Sequence, residues 1–368
     1  MKFLKNKRKI HLVFIKRGRN GIIYIMKSIV LTGGGTAGHV TPHLAVYPYI
    51  KDHFSKFYYI GSENGIEKSI ARDKFEYFSV TCAKLKRSLT LENFTIIPRV
   101  LKGIKEAEEI LLKLKPDVVF SKGGFVSVPV VYAAKRLKIP VVSHESDYTL
   151  GLANKLIAKK CDYFLTSFET TGKNLKNRVF TGPPIREFNL NRQKALSYFN
   201  FKGAKPVLLV IGGSSGSLTI NNAITGLYAD LLKNYDLLHV CGNGGVEETK
   251  DGYIKVKYLD DISLAYSVAD FAVSRAGAGV AFELTSLKIP TLFIPLSKKI
   301  SRGDQILNAE YFYSKNACNI LKEENLNAKN LKEKIDETYK NSSYYINNME
   351  KLSLKNGNKK IAEILKMY

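Results

Sequence analysis

Residues 33–39 read Gly-Gly-Gly-Thr-Ala-Gly-His, directly after the apolar run 29–31. A turn with almost no side chains leaves its backbone N–H groups open. A helix start adds the favourable end of its dipole, so this stretch can hold an anionic group, with Thr36, Ala37 and Gly38 as its substrate-binding residues. His39 follows at once, and an imidazole titrating near neutral pH can take a proton from a hydroxyl or orient it. His144 and Glu145, after another short apolar run, are further candidates for acid–base work. Gly33-x-Gly35-x-x-Gly38 also fits a dinucleotide fingerprint, with Glu63 placed 25 residues after Gly38, so a nicotinamide or flavin enzyme is a rival reading. A histidine opening the helix, and a second Gly-rich turn further on, weigh against it.

Strands and helices must present these turns. Apolar runs at 57–60, 77–81, 118–120, 141–142, 162–166 and 179–181 alternate with helix-periodic stretches at 40–49, 66–74, 91–114 and 128–137. The pattern then restarts: a run at 206–211, a Gly/Ser turn at 212–217, a helix from about 219, strands at 237–241, 253–258 and 271–273, and a helix at 280–287. Strand–helix alternation specifies an α/β fold with doubly wound parallel sheets. Two internal echoes support a duplicated plan. Leu137-Lys138-Ile139-Pro140 recurs as Leu287-Lys288-Ile289-Pro290, and Ser121-Lys122-Gly123-Gly124 is answered by Ser274-Arg275-Ala276-Gly277. The expectation is two Rossmann-like domains facing one another and joined near residues 183–188. Their limits are 27–186 and 187–345, after a basic extension at 1–26 and before a helical tail at 346–368. In the Lys/Asn-rich end, Ile335, Tyr339, Tyr344, Ile346, Met349 and Leu352 are expected to line one side and pack across the domain junction.

At 368 residues with 45% apolar content, two packed cores need no staples. Four cysteines with no paired spacing argue against a zinc site or a disulfide framework. The net charge is +24, and eight of those charges lie in residues 1–26, which hold no acid. No nucleic-acid-binding signature accompanies the charge, so an anionic membrane face or a phosphorylated substrate is the expected partner. The short apolar runs at 10–15 and 21–26 are far below the roughly 20 residues of a membrane span. Residues 84–105 mix six Lys/Arg with Leu89, Leu91, Phe94, Ile96, Ile97 and Val100, which suits an interfacial patch or an amphipathic helix packed on its own sheet.

The stretch 274–308 narrows the chemistry. It runs Ser-Arg-Ala-Gly-Ala, then Glu283, then Ile-Pro-Leu-Ser at 294–297, then Arg302-Gly-Asp-Gln-Ile-Leu-Asn308. Combined with 33–39, Ser-Lys-Gly-Gly-Phe-Val-Ser-Val-Pro at 121–129, His-Glu at 144–145, Thr-Gly-Pro-Pro-Ile-Arg at 181–186 and Gly-Gly-Ser at 212–214, it strongly resembles the MurG family over residues 27–320. That family transfers N-acetylglucosamine from its UDP conjugate to a lipid-linked muramoyl-pentapeptide. The resemblance implies a GT-B-like fold with the active site between the halves. It implies Glu283 as the ribose ligand, a role a carboxylate fills by accepting from two hydroxyls. It also implies Ala278 and Ser214 near the diphosphate, backbone contact with uracil at Leu259, Gln305 on the transferred sugar, and Arg186 on an anion. Two departures stand out: Asp304 where a second glutamine is frequent, and Ser146-Asp147 where Gln-Asn is common. Asp147 can still accept from a sugar hydroxyl.

The expected reaction is a single inverting displacement, with His39 as the first candidate base and Glu145 as the second catalytic group. The leaving UDP would be stabilised at a helix start in the second half. No cofactor and no resident metal are expected. The partners are UDP-N-acetylglucosamine, an undecaprenyl-diphosphate-linked acceptor and an anionic membrane surface, with no nucleic acid. The expected location is the cytoplasmic face of the membrane, peripherally bound. Alternatives are another UDP-sugar enzyme on this scaffold (a glycolipid transferase or a UDP-sugar epimerase) and a non-catalytic nucleotide- or membrane-binding relative.

Overall fold

The computed structural model describes residues 15–17, 23–83, 96–213, 216–243, 245–352, 354 and 356–368. The expected Ser214 contact lies outside these residues, as does the basic stretch 84–95. Within the basic extension, β1 (Ile15–Arg17) and β2 (Ile23–Ile25) pair as an antiparallel ribbon.

The chain then builds two seven-stranded sheets. The first holds β3 (Ser28–Thr32), β4 (Lys56–Gly61), β5 (Glu76–Ser79), β6 (Val118–Ser121), β7 (Val141–Glu145), β8 (Tyr163–Thr166) and β9 (Arg178–Phe180). These are all parallel, in the order β5-β4-β3-β6-β7-β8-β9. The second holds β10 (Val207–Ile211), β11 (Asp236–Val240), β12 (Glu248–Lys250), β13 (Tyr253–Val256), β14 (Phe271–Ser274), β15 (Thr291–Phe293) and β16 (Asn319–Ile320). Its order is β12-β13-β11-β10-β14-β15-β16, parallel except for β12 at one edge. Central strands such as β6 and β10 are buried along their whole length, which is why they read as unbroken apolar runs rather than alternating ones.

In each half the first strand lies beside the strand where the order reverses, β3 beside β6 and β10 beside β14. Ligands of open α/β sheets bind at such a switch point, outside the carboxyl ends of the strands. All four Gly-containing turns found in the sequence emerge there. In the first half two of them touch: a Cβ on Gly124 would lie 2.2 Å from the carbonyl oxygen of Gly34. A side chain at either turn would push the loops apart.

The helices are α1 (Thr41–Ile50), α2 (Ile66–Ala71), α3 (Ile96–Leu114), α4 (Ser127–Arg136), α5 (Leu152–Ile157), α6 (Arg192–Phe199), α7 (Leu218–Leu231), α8 (Ile262–Val268), α9 (Ala278–Ser286), α10 (Asp304–Tyr313), α11 (Ala328–Lys340), α12 (Ser342–Leu352) and α13 (Asn358–Leu365). Asn191, Ser217, Asp261 and Asn327 cap α6, α7, α8 and α11 with their own side chains. The tail crosses between the halves. Leu331 and Ile335 of α11 and Tyr345 and Met349 of α12 enter the second core, whereas Ile361 and Leu365 of α13 enter the first. The crossing is tied to the linker: Gly357 N donates to Pro183 O at 2.8 Å and Asn358 Nδ2 to Ile185 O at 2.7 Å. Within α12 the inward ring is Tyr345; Tyr344, expected to face the core, points to solvent, because it sits one residue off the stripe.

Candidate active site

His39 closes a single 3-10 turn, Ala37–His39, that precedes α1; it does not lie inside the helix as the sequence pattern suggested, because Pro42 sets the helix start two residues later. Its Nδ1 meets Thr36 Oγ1 at 3.0 Å. Surrounding protein pushes its pKa down, Asp147 opposes that, and Lys122 reinforces it. One donor of the glycine turn is not open. Gly35 N donates to Glu67 Oε2 at 3.1 Å, and the buried Glu67 also accepts from the backbone and hydroxyl of Ser62. Glu63, the acid a dinucleotide site would need, is exposed and paired with Lys68 at 2.7 Å. The dinucleotide reading therefore lacks both its empty turn and its ribose acid.

His43 is buried edge-on between Tyr59 and Phe120, with Nε2 on Thr32 O at 3.2 Å. Burial pushes its pKa down to about 3, which makes it a neutral core residue. Lys122, at the end of β6, is only 2% exposed. Its Nζ donates to His144 Nδ1 and, at 2.9 Å, to Ser146 Oγ. Burial brings its pKa down to about 7, against the pull of Glu145 and Asp147. With Nδ1 accepting from Lys122, His144 carries its proton on Nε2, facing Gly182 O at 3.4 Å. Both of its nitrogens are engaged.

Glu145 was expected to be catalytic, but its carboxylate is filled by its own loop and by α5. Asp147 N (3.0 Å), Gly151 N (2.8 Å) and Asn154 Nδ2 (2.9 Å) all donate to it. Such a carboxylate holds a loop in shape and has little capacity left for a substrate. Asp147 is different. Burial and the charge of Glu145 raise its pKa to about 6, and Asn308 Nδ2 donates to it from the other half at 3.0 Å. Asn308 also accepts from Tyr148 N at 2.9 Å and donates to Ala276 O at 3.1 Å, tying this loop to the turn before α9.

In the second half, α9 opens at Ala278 with Gly277 as its N-cap and no side chain covering the N–H groups. Arg275, buried below, joins three loops. It donates to Ile294 O (3.0 Å) and Ser217 Oγ (2.9 Å), and pairs with Glu323 at 2.5 Å. Glu283 is 8% exposed, and its two oxygens take Arg186 Nε (2.9 Å), Arg186 Nη2 (3.1 Å) and Tyr266 Oη (2.8 Å). Two expected ligands are thus each other's partner. Gln305 accepts from Leu296 N at 3.1 Å, leaving its amide NH2 without a partner among the described residues. Leu259 is half-buried against the second core. Asp304 holds Arg302 at 2.6 Å, and Arg302 reaches to 3.7 Å from Asp147.

The structure thus brings Arg186, Glu283 and Asp147 to the seam between the halves, where His39 lies close enough to feel the charge of Asp147; Gln305 is held on the Leu296 backbone and touches none of the other candidates among the described residues. A cavity of about 20 Å3 lies in that seam, walled by Thr41, Ser146, Ser167, Arg186, Gly279 and Glu283 among others. A larger hollow of about 580 Å3 lies at the outer edge of the second sheet, between α10, α11 and β16, and no candidate residue lines it. Sequence reasoning passed over Glu67, Tyr266 and the role of Lys122. Only Lys122 left a signal, a lone cation closing an apolar strand. No three His, Cys, Asp or Glu side chains converge as a metal site among the described residues.

Residues 29–166 match the model of the glycosyltransferase family 28 N-terminal domain, and residues 207–365 match that of its C-terminal domain. The UDP-N-acetylglucosamine–N-acetylmuramyl-(pentapeptide) pyrophosphoryl-undecaprenol N-acetylglucosamine transferase of Clostridium botulinum (strain Loch Maree / Type A3) is 46% identical over 352 residues, covering 93% of this chain and 99% of the relative. Its counterpart in Clostridium tetani is 45% identical, covering 93% and 98%. Among solved structures, Acinetobacter baumannii MurG superposes with a TM-score of 0.73 at 20% identity, covering 93% of this chain and all of that one. The calicheamicin glycosyltransferase CalG4 gives 0.68 at 12% identity, covering 93% and 98%. These two likenesses concern the fold.

Proposed function

The chain belongs to glycosyltransferase family 28, and from that premise we propose that it moves N-acetylglucosamine from UDP-N-acetylglucosamine to an undecaprenyl-diphosphate-linked muramoyl-pentapeptide, a step of peptidoglycan synthesis. Identity of 46% to a relative of that name, over nearly all of its length, carries the reading. The seam between the two switch points supplies a matching chemistry. Glu283 and Gly279 of α9 share a small cavity with Thr41 and Ser146, and Asn308 reaches across to Asp147.

We assign nucleotide binding to the second half. Leu259 meets the base, Glu283 the ribose, and the N–H groups at Ala278 the diphosphate, where charge gathers as the bond to the sugar breaks. For Glu283 to accept ribose hydroxyls Arg186 must turn away, and its guanidinium is then available to the diphosphate. Gln305 and Asp147 are placed for sugar hydroxyls. His39 takes the proton of the acceptor hydroxyl. A lowered pKa keeps its imidazole neutral near pH 7, the state able to accept. Glu145 shapes the loop that carries Asp147. The reaction as assigned uses no cofactor.

We further infer peripheral attachment to the cytoplasmic face of the membrane. No described helix is long and apolar enough to cross a bilayer. Along α3, Ile97 and Leu101 are exposed beside Arg99, Lys102 and Lys105, a mix suited to an anionic interface. The deciding assay presents purified protein with several UDP-sugars and the lipid-linked acceptor, scoring disaccharide product and UDP release. Product from UDP-N-acetylglucosamine is expected; UDP-sugar altered without acceptor would point to an epimerase instead.

A further inference from the structure

Two serine hydroxyls on the N-terminal wall of the seam stand without a full set of partners. Ser167 is 3% exposed, lines the small cavity, and its Oγ has no hydrogen-bond partner. Ser146 lines the same cavity, and its Oγ accepts from Lys122 Nζ at 2.9 Å. A hydroxyl has one proton to give. With Lys122 on a lone pair, Ser146 must direct that proton elsewhere, and no acceptor takes it among the described residues. Lys122 itself has no carboxylate within ion-pair distance among the described residues. Its ammonium is held by a neutral His144 and by Ser146 alone. A buried cation without a carboxylate and an unpartnered buried hydroxyl both cost stability; here the half-buried Ser146 that carries the first shares a small cavity with Ser167, the second, which points to a ligand that completes them.

We propose that Ser146 and Ser167 form a subsite for one accepting oxygen of the bound UDP-sugar, and that Lys122 is a positioning residue that turns the Ser146 hydroxyl toward it. The cavity, about 20 Å3, has room for a single oxygen-sized group. Arg186, Gly279 and Glu283 form its opposite wall, so the oxygen belongs to the ribose, the diphosphate or the transferred sugar. The subsite rests on the assignment of that wall to the nucleotide. It also gives a physical role to the Ser146-Asp147 departure from the common Gln-Asn, since a serine with a lysine beneath it replaces a longer donor.

Calorimetry with uridine, UDP and UDP-N-acetylglucosamine, on wild type, Ser146→Ala, Ser146→Thr, Ser167→Ala, Lys122→Met and the Lys122→Met/Ser146→Ala double variant, tests this. Each alanine variant should weaken UDP-N-acetylglucosamine binding roughly threefold to tenfold, one hydrogen bond's share, and Ser146→Thr should restore most of it. The smallest ligand that shows the loss identifies the oxygen. Lys122→Met should match Ser146→Ala, and the double variant should lose no more than either alone. Equal binding by wild type and both serine variants, or losses that multiply in the double variant, would overturn the proposal. If Lys122→Met does not fold, the alanine–threonine contrast at position 146 decides alone. A wild type that binds none of the three ligands would instead overturn the nucleotide assignment.

Discussion

Lys122 and Arg275 occupy equivalent places in the two halves. Each is the first residue after the strand that lies beside the first strand of its half, and each is buried, at 2% and 6% exposure. Arg275 has a carboxylate, Glu323, and two further oxygens, so its charge and its planar donors are satisfied within the protein. Lys122 has an imidazole and a hydroxyl and, among the described residues, no carboxylate in contact. One equivalent position is therefore a strut in the second half and a cation without a carboxylate partner, among the described residues, in the first. A satisfied buried charge organises loops; an unsatisfied one is kept for what will bind beside it.

The largest effects should separate the halves by kinetics. His39→Ala should lower kcat by about 10²–10⁴-fold, the usual contribution of a general base, while leaving UDP affinity close to wild type. Glu283→Ala should instead remove most UDP binding, measured by calorimetry, before any effect on the chemical step can be read. If His39→Ala lost UDP affinity and kept its turnover, the division of labour would collapse.

Next comes stability. Glu323→Ala leaves Arg275 buried and unpaired and should cost about 3–5 kcal/mol in urea unfolding, whereas replacing Arg275 and Glu323 together by apolar residues should cost less than the single change. Lys122→Met should behave oppositely, holding or raising stability. The pH dependence gives the sign. Unfolded, Lys122 loses its proton near 10.5; folded, at about 7. Between those values the unfolded chain binds more protons, so wild-type stability rises with pH across that window, and the penalty is complete below pH 7. The advantage of Lys122→Met, on the order of a few kcal/mol, should be greatest at pH 7 and below and should shrink toward pH 10. A difference that does not change between pH 6 and 10 would show that the ammonium costs nothing where it lies.

This contrast also marks what the sequence made legible. Apolar runs closed by glycine turns located both sheets and all four switch-point turns, because strand burial and turn sterics are local constraints written in residue type. Arg186, Glu283, Asp147 and Gln305 were reached through motif order; of these, Arg186 and Glu283 touch directly, and Asp147 is tied to the second half through Asn308. Their partners were not readable. That Glu67 would enter the first glycine turn and that Arg186 would lie on Glu283 depend on contacts between segments distant in the chain. No periodicity encodes them. The crossing of α13 back to the first core is of the same kind, since its apolar stripe fits either half.

The smallest expected effect tests the duplication itself. The echoed Leu-Lys-Ile-Pro segments end α4 and α9, and Lys138 and Lys288 both adopt a left-handed backbone, each with φ of 58°. The surrounding bonds also correspond: Lys138 N to Lys135 O and Ile139 N to Ala134 O in one half, Lys288 N to Thr285 O and Ile289 N to Leu284 O in the other. This is the Schellman arrangement, with proline following, and glycine is the residue that adopts it without a Cβ penalty. Lys138→Gly should therefore raise stability by about 0.5–1 kcal/mol. Lys288 differs in one respect: its ammonium pairs with Glu350 at 2.6 Å, half exposed on both sides. Such a surface pair is worth about 0–1 kcal/mol, so Lys288→Gly should gain less, or nothing. Raising the salt to 1 M screens that pair and should bring the two gains together, as read from urea midpoints. If the gap between them survived high salt, the two caps would differ in backbone geometry, and the internal echo would be a likeness of sequence without a likeness of structure.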